Sequence, residues 1–216
     1  MTGTPPVPSA GTLIAVLAYP GVDELDLFGG YALLAKAGSV AEETGAPPVT
    51  AVITAEEPEV RGSAGVTFRA QEELSVVERA QAVVVPGGRG ASAAAETPRL
   101  QRFLRRADER DARLYSVCSG ALVLAGAGLA EGRALAIHAA KRTQLTERGA
   151  VRAADGLVRD GRICSVGGDV RDSVKSVDLA FALLADLRPE LVEPVTRRTE
   201  IGPGREARQA LRASGA

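Results

Sequence analysis

The segment Arg113-Leu-Tyr-Ser-Val-Cys118-Ser-Gly120-Ala-Leu-Val-Leu-Ala carries the most specific chemical signal in this 216-residue chain. A short apolar run ends in a cysteine, and a helix-forming run begins directly behind it. Such a junction sets a thiol on a sharp strand-to-helix turn at the positive end of a helix dipole, where loss of its proton is favoured. Ser116 and Gly120, two residues to either side, keep bulk out of the turn, which is the spacing of a nucleophile elbow. Cys118 is therefore expected to be a catalytic nucleophile. The competing assignment is a small buried hydrophobe, the usual fate of a free cysteine. Cys164, in Arg162-Ile-Cys-Ser-Val, has no helix behind it and reads as core packing.

Three further groups could work with the thiol. Pro86-Gly87-Gly88-Arg89-Gly90 follows an apolar run but lacks both the dinucleotide glycine spacing and the Walker lysine, so no nucleotide is expected there. A glycine-rich turn instead lets backbone N–H groups approach a reacting atom. Gly87 and Gly88 are accordingly expected to bind substrate, the N–H of Gly88 joining that of Ser119 in an oxyanion-type hole. Asp23-Glu24-Leu25-Asp26 offers carboxylates where an apolar run meets a helix. They suit either simple capping of the helix or, for one of them, an inward acid whose pKa burial would raise. Asp26 is the preferred proton-transfer partner, because Leu25 and Leu27 flank it as buried anchors, and Glu24 is kept as a substrate-facing group. His138, 20 residues after the cysteine, is the only histidine; a structural role and a role near the thiol both remain open. With one histidine no transition-metal cluster can be completed, so neither a metal nor a cofactor is expected.

These groups need a frame that gathers them. Continuous apolar runs at Thr12–Tyr19, Val49–Thr54, Ala82–Pro86 and Ala112–Val117 suit buried parallel strands. Between them lie a helix from Leu25 to Gly38, an extended excursion at Arg61–Arg69, and a helix at Pro98–Arg110 with Thr97 as N-cap. Ser119–Ala127 forms the helix behind the cysteine, and Ala134–Ile137 a short strand that ends at His138. Ala139–Arg148 is helical, Val151–Ala153, Leu157–Arg159 and Ile163–Val166 are short strands, and Ser176–Leu187 is the last core helix, closed by Pro189. Strands alternating with helices predict a parallel sheet covered on both faces, with ligands at the carboxyl ends of its strands. The domain is placed at 12–196, after a disordered leader at 1–11 and before a surface tail at 197–216.

The bulk numbers narrow the partners. A formal net charge of −1 gives nucleic acid or an anionic membrane nothing to grip, and no apolar run approaches a membrane span. No basic region precedes the first apolar run, so it is not a signal peptide, and two cysteines make no disulfide framework. A cytoplasmic protein acting on a small molecule is expected.

Tyr19-Pro-Gly-Val-Asp-Glu-Leu-Asp26-Leu-Phe-Gly29, Val84-Val-Pro-Gly-Gly88-Arg-Gly90 and Ser116-Val-Cys118-Ser-Gly-Ala-Leu-Val-Leu-Ala-Gly-Ala-Gly-Leu129 together resemble the ThiJ/PfpI superfamily, the class I glutamine amidotransferase-like fold. Arg133–His138 and Val177–Leu183 extend the resemblance to about residues 12–195, nearest to isonitrile hydratase-like proteins and the sensor domains of AraC-type regulators. It implies a flavodoxin-like three-layer α/β sandwich and a homodimer. It also implies Cys118 as nucleophile, Asp26 as its acid, Ser119 as the adjacent hydroxyl, and hydration of an isonitrile through a thioimidate. A ligand-sensing module and a stress hydrolase of carbonyl adducts are the alternatives, although only about 20 residues follow the fold, too few for a helix-turn-helix unit. The chain departs from the isonitrile hydratase pattern at Ile137-His138-Ala139, where Thr-His-Trp is usual, and at Gly30, where proline is usual. It departs again at 167–176, where Asp169, Arg171, Asp172 and Lys175 replace small residues. These changes imply a more polar substrate.

Overall fold

The computed structural model describes residues 11–170, 173–205 and 207–208. The expected leader therefore lies, apart from Gly11, outside the described residues, as do Arg171 and Asp172.

Strand β1 (Thr12–Leu17) runs through the centre, flanked by β2 (Val49–Ala55) and the later strand β6 (Ala82–Val85). Its inner residues are almost wholly aliphatic and buried, as suits a strand covered on both faces. Between β2 and β6 come β3 (Glu59–Arg61) and β4 (Thr67–Arg69), which pair as an antiparallel hairpin, and the short β5 (Glu72–Glu73). Then follow β7 (Arg113–Val117), β8 (Ala134–Ala136), β9 (Arg152–Ala154), β10 (Gly156–Asp160) and β11 (Ile163–Gly167). The main sheet has the order β10-β11-β7-β6-β1-β2-β5, parallel throughout except for the β10–β11 hairpin.

Helices α1 (Glu24–Thr44), α6 (Lys175–Leu187) and α7 (Val192–Thr199) pack together on one face. The other face carries α2 (Ala91–Ala95), α3 (Pro98–Glu109), α4 (Gly120–Gly126) and α5 (Arg142–Thr146). The result is a three-layer, flavodoxin-like α/β sandwich. Among the described residues no helix is long and apolar enough to cross a membrane.

Several local expectations are corrected. Helix α1 continues past Gly38 to Thr44 and stops at Gly45, whose backbone is left-handed (φ 69°). Gly38 is present for contact: a Cβ there would lie 2.5 Å from the Val49 carbonyl oxygen, so glycine lets the helix touch β2. Thr97 stands at the N-cap position of α3, but its hydroxyl donates backward to Ala93 O (3.4 Å) and caps nothing. Strand β8 stays out of the main sheet and pairs with β9 in a small parallel sheet of its own. The boundary drawn at residue 197 falls inside α7, and two of the described residues beyond it are tied to the body of the fold. Gly204 N–H donates to the buried Asp178 carboxylate (2.7 Å), and Ala207 is fully buried.

Candidate active site

Parallel register carries β1, β6 and β7 to one edge of the sheet, and the loops leaving that edge converge. Cys118 N–H donates to Val166 O (2.8 Å), so the chain is held in strand register up to the cysteine itself. The cysteine then takes a left-handed backbone (φ 54°), one of three non-glycine residues with positive φ among those described. An L-residue there costs roughly 1 kcal/mol. The strain turns the chain at once from strand into α4 and leaves the half-buried thiol at the turn.

Asp26 reaches this turn from the first turn of α1. Asp23 supplies the cap, its Oδ1 accepting from Leu25 N and Asp26 N (3.0 Å each). Asp26 Oδ2 accepts from Gly87 N–H (3.2 Å). A Cβ on Gly87 would lie 2.7 Å from Asp26 Oδ2, 2.9 Å from Cys118 Cβ and 3.1 Å from Ser119 N. Any side chain at residue 87 would thus stand where the carboxyl, the cysteine and the head of α4 come together. Burial, followed by the charge of Asp23, pushes the Asp26 carboxyl up to about 6, with the Gly87 N–H and Lys175 opposing.

Cys118 departs from expectation in its proton affinity. Burial, the largest influence, and the neighbouring Asp26 raise its thiol above the ordinary cysteine value. The N–H of Ser119 and the charge of Lys175 only partly offset them. The short helix behind it does not outweigh a carboxylate and a loss of solvent.

Ser119 and Gly88 are committed to each other. Gly88 N–H donates to Ser119 Oγ (2.9 Å), and that hydroxyl donates to Gly88 O (3.1 Å). The N–H expected in an oxyanion hole is therefore engaged in holding the glycine turn, as is that of Gly87. Gly88 has φ 144°, and a Cβ there would strike the backbone of Gly21, Val22 and Asp23, so the turn admits only glycine.

Glu24 faces away from the thiol. Its carboxylate accepts from Ala64 N (2.9 Å) and Val66 N (3.3 Å) in the β3–β4 turn, and these bonds lower its pKa. Leu25 is 63% exposed and anchors nothing, whereas Leu27 is fully buried. The inward aim of Asp26 thus comes from Leu27 and the Gly87 bond. His138 lies just beyond β8, exposed, its Nδ1 accepting from Ala140 N (3.1 Å) at the start of a 3-10 turn. Strand β8 lies outside the main sheet but packs on β11, the neighbour of the cysteine's strand, with the backbone of Ile137 against Gly167. Cys164 is buried in β11 with its thiol pushed up to about 12, chiefly by burial, as befits a core residue.

Two neighbours were not singled out as site residues. Tyr19 is buried, donates its hydroxyl to Pro86 O (2.6 Å), and feels the charges of Asp26 and Cys118. Its only trace in the sequence is an aromatic at the end of an apolar strand. Lys175, at the start of α6, acts electrostatically on both Asp26 and Cys118. A separate cavity of about 200 Å³ shares Tyr19 with the site, but its lining includes neither Cys118 nor Asp26. Among the described residues no cluster of three or more His, Cys, Asp or Glu is arranged to hold a metal ion.

Fold and site together define an α/β protein with a strained cysteine elbow beside a half-buried carboxyl. The chain belongs to the DJ-1/PfpI family, whose model matches residues 12–173. It is 29% identical to an isonitrile hydratase from Pseudomonas putida over 174 residues, covering 81% of this chain and 71% of that protein. Among solved structures it resembles a ThiJ/PfpI family protein from Pseudomonas syringae (TM-score 0.74, 26% identity), over 94% of this chain and 82% of that one. It also matches a two-domain protein from Anabaena variabilis with DJ-1/ThiJ/PfpI-like and ferritin-like domains (TM-score 0.69, 21% identity), over 82% of this chain. It spans about half the length of that protein (48%).

Proposed function

We propose that this protein is a cytoplasmic, homodimeric cysteine enzyme that hydrates isonitriles to N-substituted formamides without a cofactor. Cys118 is its nucleophile and Asp26 its proton carrier. The observation that carries the reading is the meeting of a thiol and a carboxyl of raised pKa across Gly87. The likeness to an isonitrile hydratase supplies the substrate class.

The two pKa shifts suit a proton shuttle. Near neutral pH the resting pair is a thiol beside a carboxylate. As sulfur attacks the terminal isonitrile carbon, Asp26 takes the thiol proton and returns it to that carbon, giving a thioimidate, R–N=CH–S–Cys118. The regenerated carboxylate then draws a proton from water as the oxygen adds to the same carbon, and passes it to nitrogen. Collapse of the tetrahedral adduct breaks the C–S bond; the hydroxyl proton moves to sulfur and R–NH–CHO leaves. A group that must give and take a proton in one cycle works best with a pKa near the working pH, which burial of Asp26 favours. Ser119 keeps the glycine turn in place, Glu24 holds the β3–β4 turn, and His138 is assigned no step.

The test is formamide production from cyclohexyl isocyanide by wild type, Cys118→Ala and Asp26→Asn. Turnover is expected in wild type, none in Cys118→Ala, and a loss of at least about 100-fold in Asp26→Asn. Absence of turnover in wild type across simple isonitriles would refute the hydratase reading and favour a sensing or carbonyl-adduct role. Full activity in Cys118→Ala would refute the nucleophile.

A further inference from the structure

We propose that the cavity beside Tyr19 is a second binding site, distinct from the cysteine elbow, that takes a small apolar ammonium ion; this goes beyond the hydratase reading and does not depend on it.

The cavity, about 200 Å³, is lined by the segments that follow β1 and β2, by β3, and by α2 and α3. Its body is apolar: Ala18, Ala55, Val60, Ala94 and Leu100 are all buried and form its walls. Small residues keep it open. Helix α2 presents Ala93 and Ala94 to it, and glycine at residue 90 allows a close approach to Pro20, whose carbonyl oxygen a Cβ there would strike. An apolar cavity of about 150 Å³ holds a benzene ring, so this one accepts a single ring with an atom or two more.

The polar side chains of the lining accept hydrogen bonds and have no free proton to give. Tyr19 donates its hydroxyl to Pro86 O (2.6 Å), and Thr97 donates its own to Ala93 O (3.4 Å). The others are Glu56, Glu57 and Glu59, contributed together where β2 leads into β3. Among the described residues no lysine, arginine or histidine lines the cavity. Glu56, half-buried, meets Arg99 from outside the lining (3.8 Å). The carboxylates of Glu57 and Glu59 form no hydrogen bond or ion pair among the described residues, although Arg69 stands opposite Glu59 in the β3–β4 pair.

Three acidic residues are thus met by one guanidinium. A cation that brings its own apolar body satisfies both halves of the cavity. Its body leaves water for the alanine, valine and leucine walls, and its ammonium donates to carboxylates that lack partners. An anion finds no donor side chain there, and a neutral molecule leaves the carboxylates uncompensated.

The experiment titrates benzylammonium into the full chain by calorimetry, with benzyl alcohol as the neutral counterpart and benzoate as the anionic one. One charge-assisted contact supports an affinity at least about tenfold above that of benzyl alcohol, weakening as salt is added, and no binding of benzoate. The double substitution Glu57→Gln and Glu59→Gln changes exposed side chains only, keeps the fold and should remove that preference. Ala93→Phe, at an exposed lining position, should fill the cavity and remove binding altogether. Cys118→Ala and Asp26→Asn should bind benzylammonium as wild type does, whether or not any isonitrile turns over. Equal affinity for amine and alcohol, or an amine affinity untouched by the double substitution, overturns the proposal. Binding that is lost in Asp26→Asn but kept in Ala93→Phe places the ion at the elbow and overturns it as well, as does no binding of benzylammonium.

Discussion

Replacing Asp26 by asparagine should make this protein more stable while destroying its activity, with a pH dependence that identifies the cause. The Asp26 carboxyl stands at about 6 against an ordinary 3.8, first because burial penalises its charge and then because Asp23 adds to the penalty. A folded-state pKa above the unfolded one means that the native protein holds the proton better. Stability linked to this group is fully present below about pH 4 and is lost as pH rises through about 6. Two pKa units correspond to about 2–3 kcal/mol of destabilisation, complete by pH 7.5. Asparagine cannot ionise, keeps an oxygen for the Gly87 N–H and avoids that loss. Urea and thermal unfolding of both proteins at pH 4 and pH 7.5 should give nearly equal stabilities at the lower pH. At the higher pH the variant should gain about 2–3 kcal/mol, or roughly 5–10 °C in Tm for a chain of this size. A gap of equal size at both pH values would assign the effect to packing. A gap that closes toward neutral pH would refute the raised carboxyl, and with it the proton shuttle.

The same substitution removes the negative neighbour of Cys118, so the thiol pKa should fall and carboxamidomethylation of Cys118 at pH 8 should quicken several-fold. Buried Cys164, its thiol near 12, should stay unlabelled and serve as an internal control by mass spectrometry. Gly87→Ala should leave the fold intact but cut turnover by about 100-fold or more, because the added methyl must displace the Asp26 carboxyl or the elbow; steady-state kinetics with circular dichroism would check it. Asp178→Ala strands the Gly204 N–H and the Ser173 hydroxyl and should cost about 2–4 kcal/mol in urea unfolding. If that segment were a loose tail, the cost would be close to zero.

What the sequence determined by itself was what depends on neighbours along the chain. Apolar runs bounded by glycine and proline located the parallel strands, and the strand–cysteine–small-residue–helix order located the elbow, because a strained turn needs small flanking residues whatever surrounds it. The carboxylates at the head of α1 were visible too, since Asp23 caps its own helix. Only the tertiary structure decided which of them turns inward. Glu24 and Asp26 are equally acidic on paper, and the choice is made by the β3–β4 turn, which captures Glu24, and by Gly87, which accommodates Asp26. The glycine loop was legible as a close approach, but its N–H groups proved to be engaged by Asp26 and Ser119. Loop partners across the sheet edge leave no local pattern. Where His138 ends depends on the pairing of β8 with β9, a choice between sheets that a three-residue strand cannot encode. The proton affinity of the thiol followed the same rule: the helix dipole is a local property and could be anticipated. Desolvation and the charge of Asp26 arise only when β1, β6 and β7 end side by side, and in this protein they outweigh it.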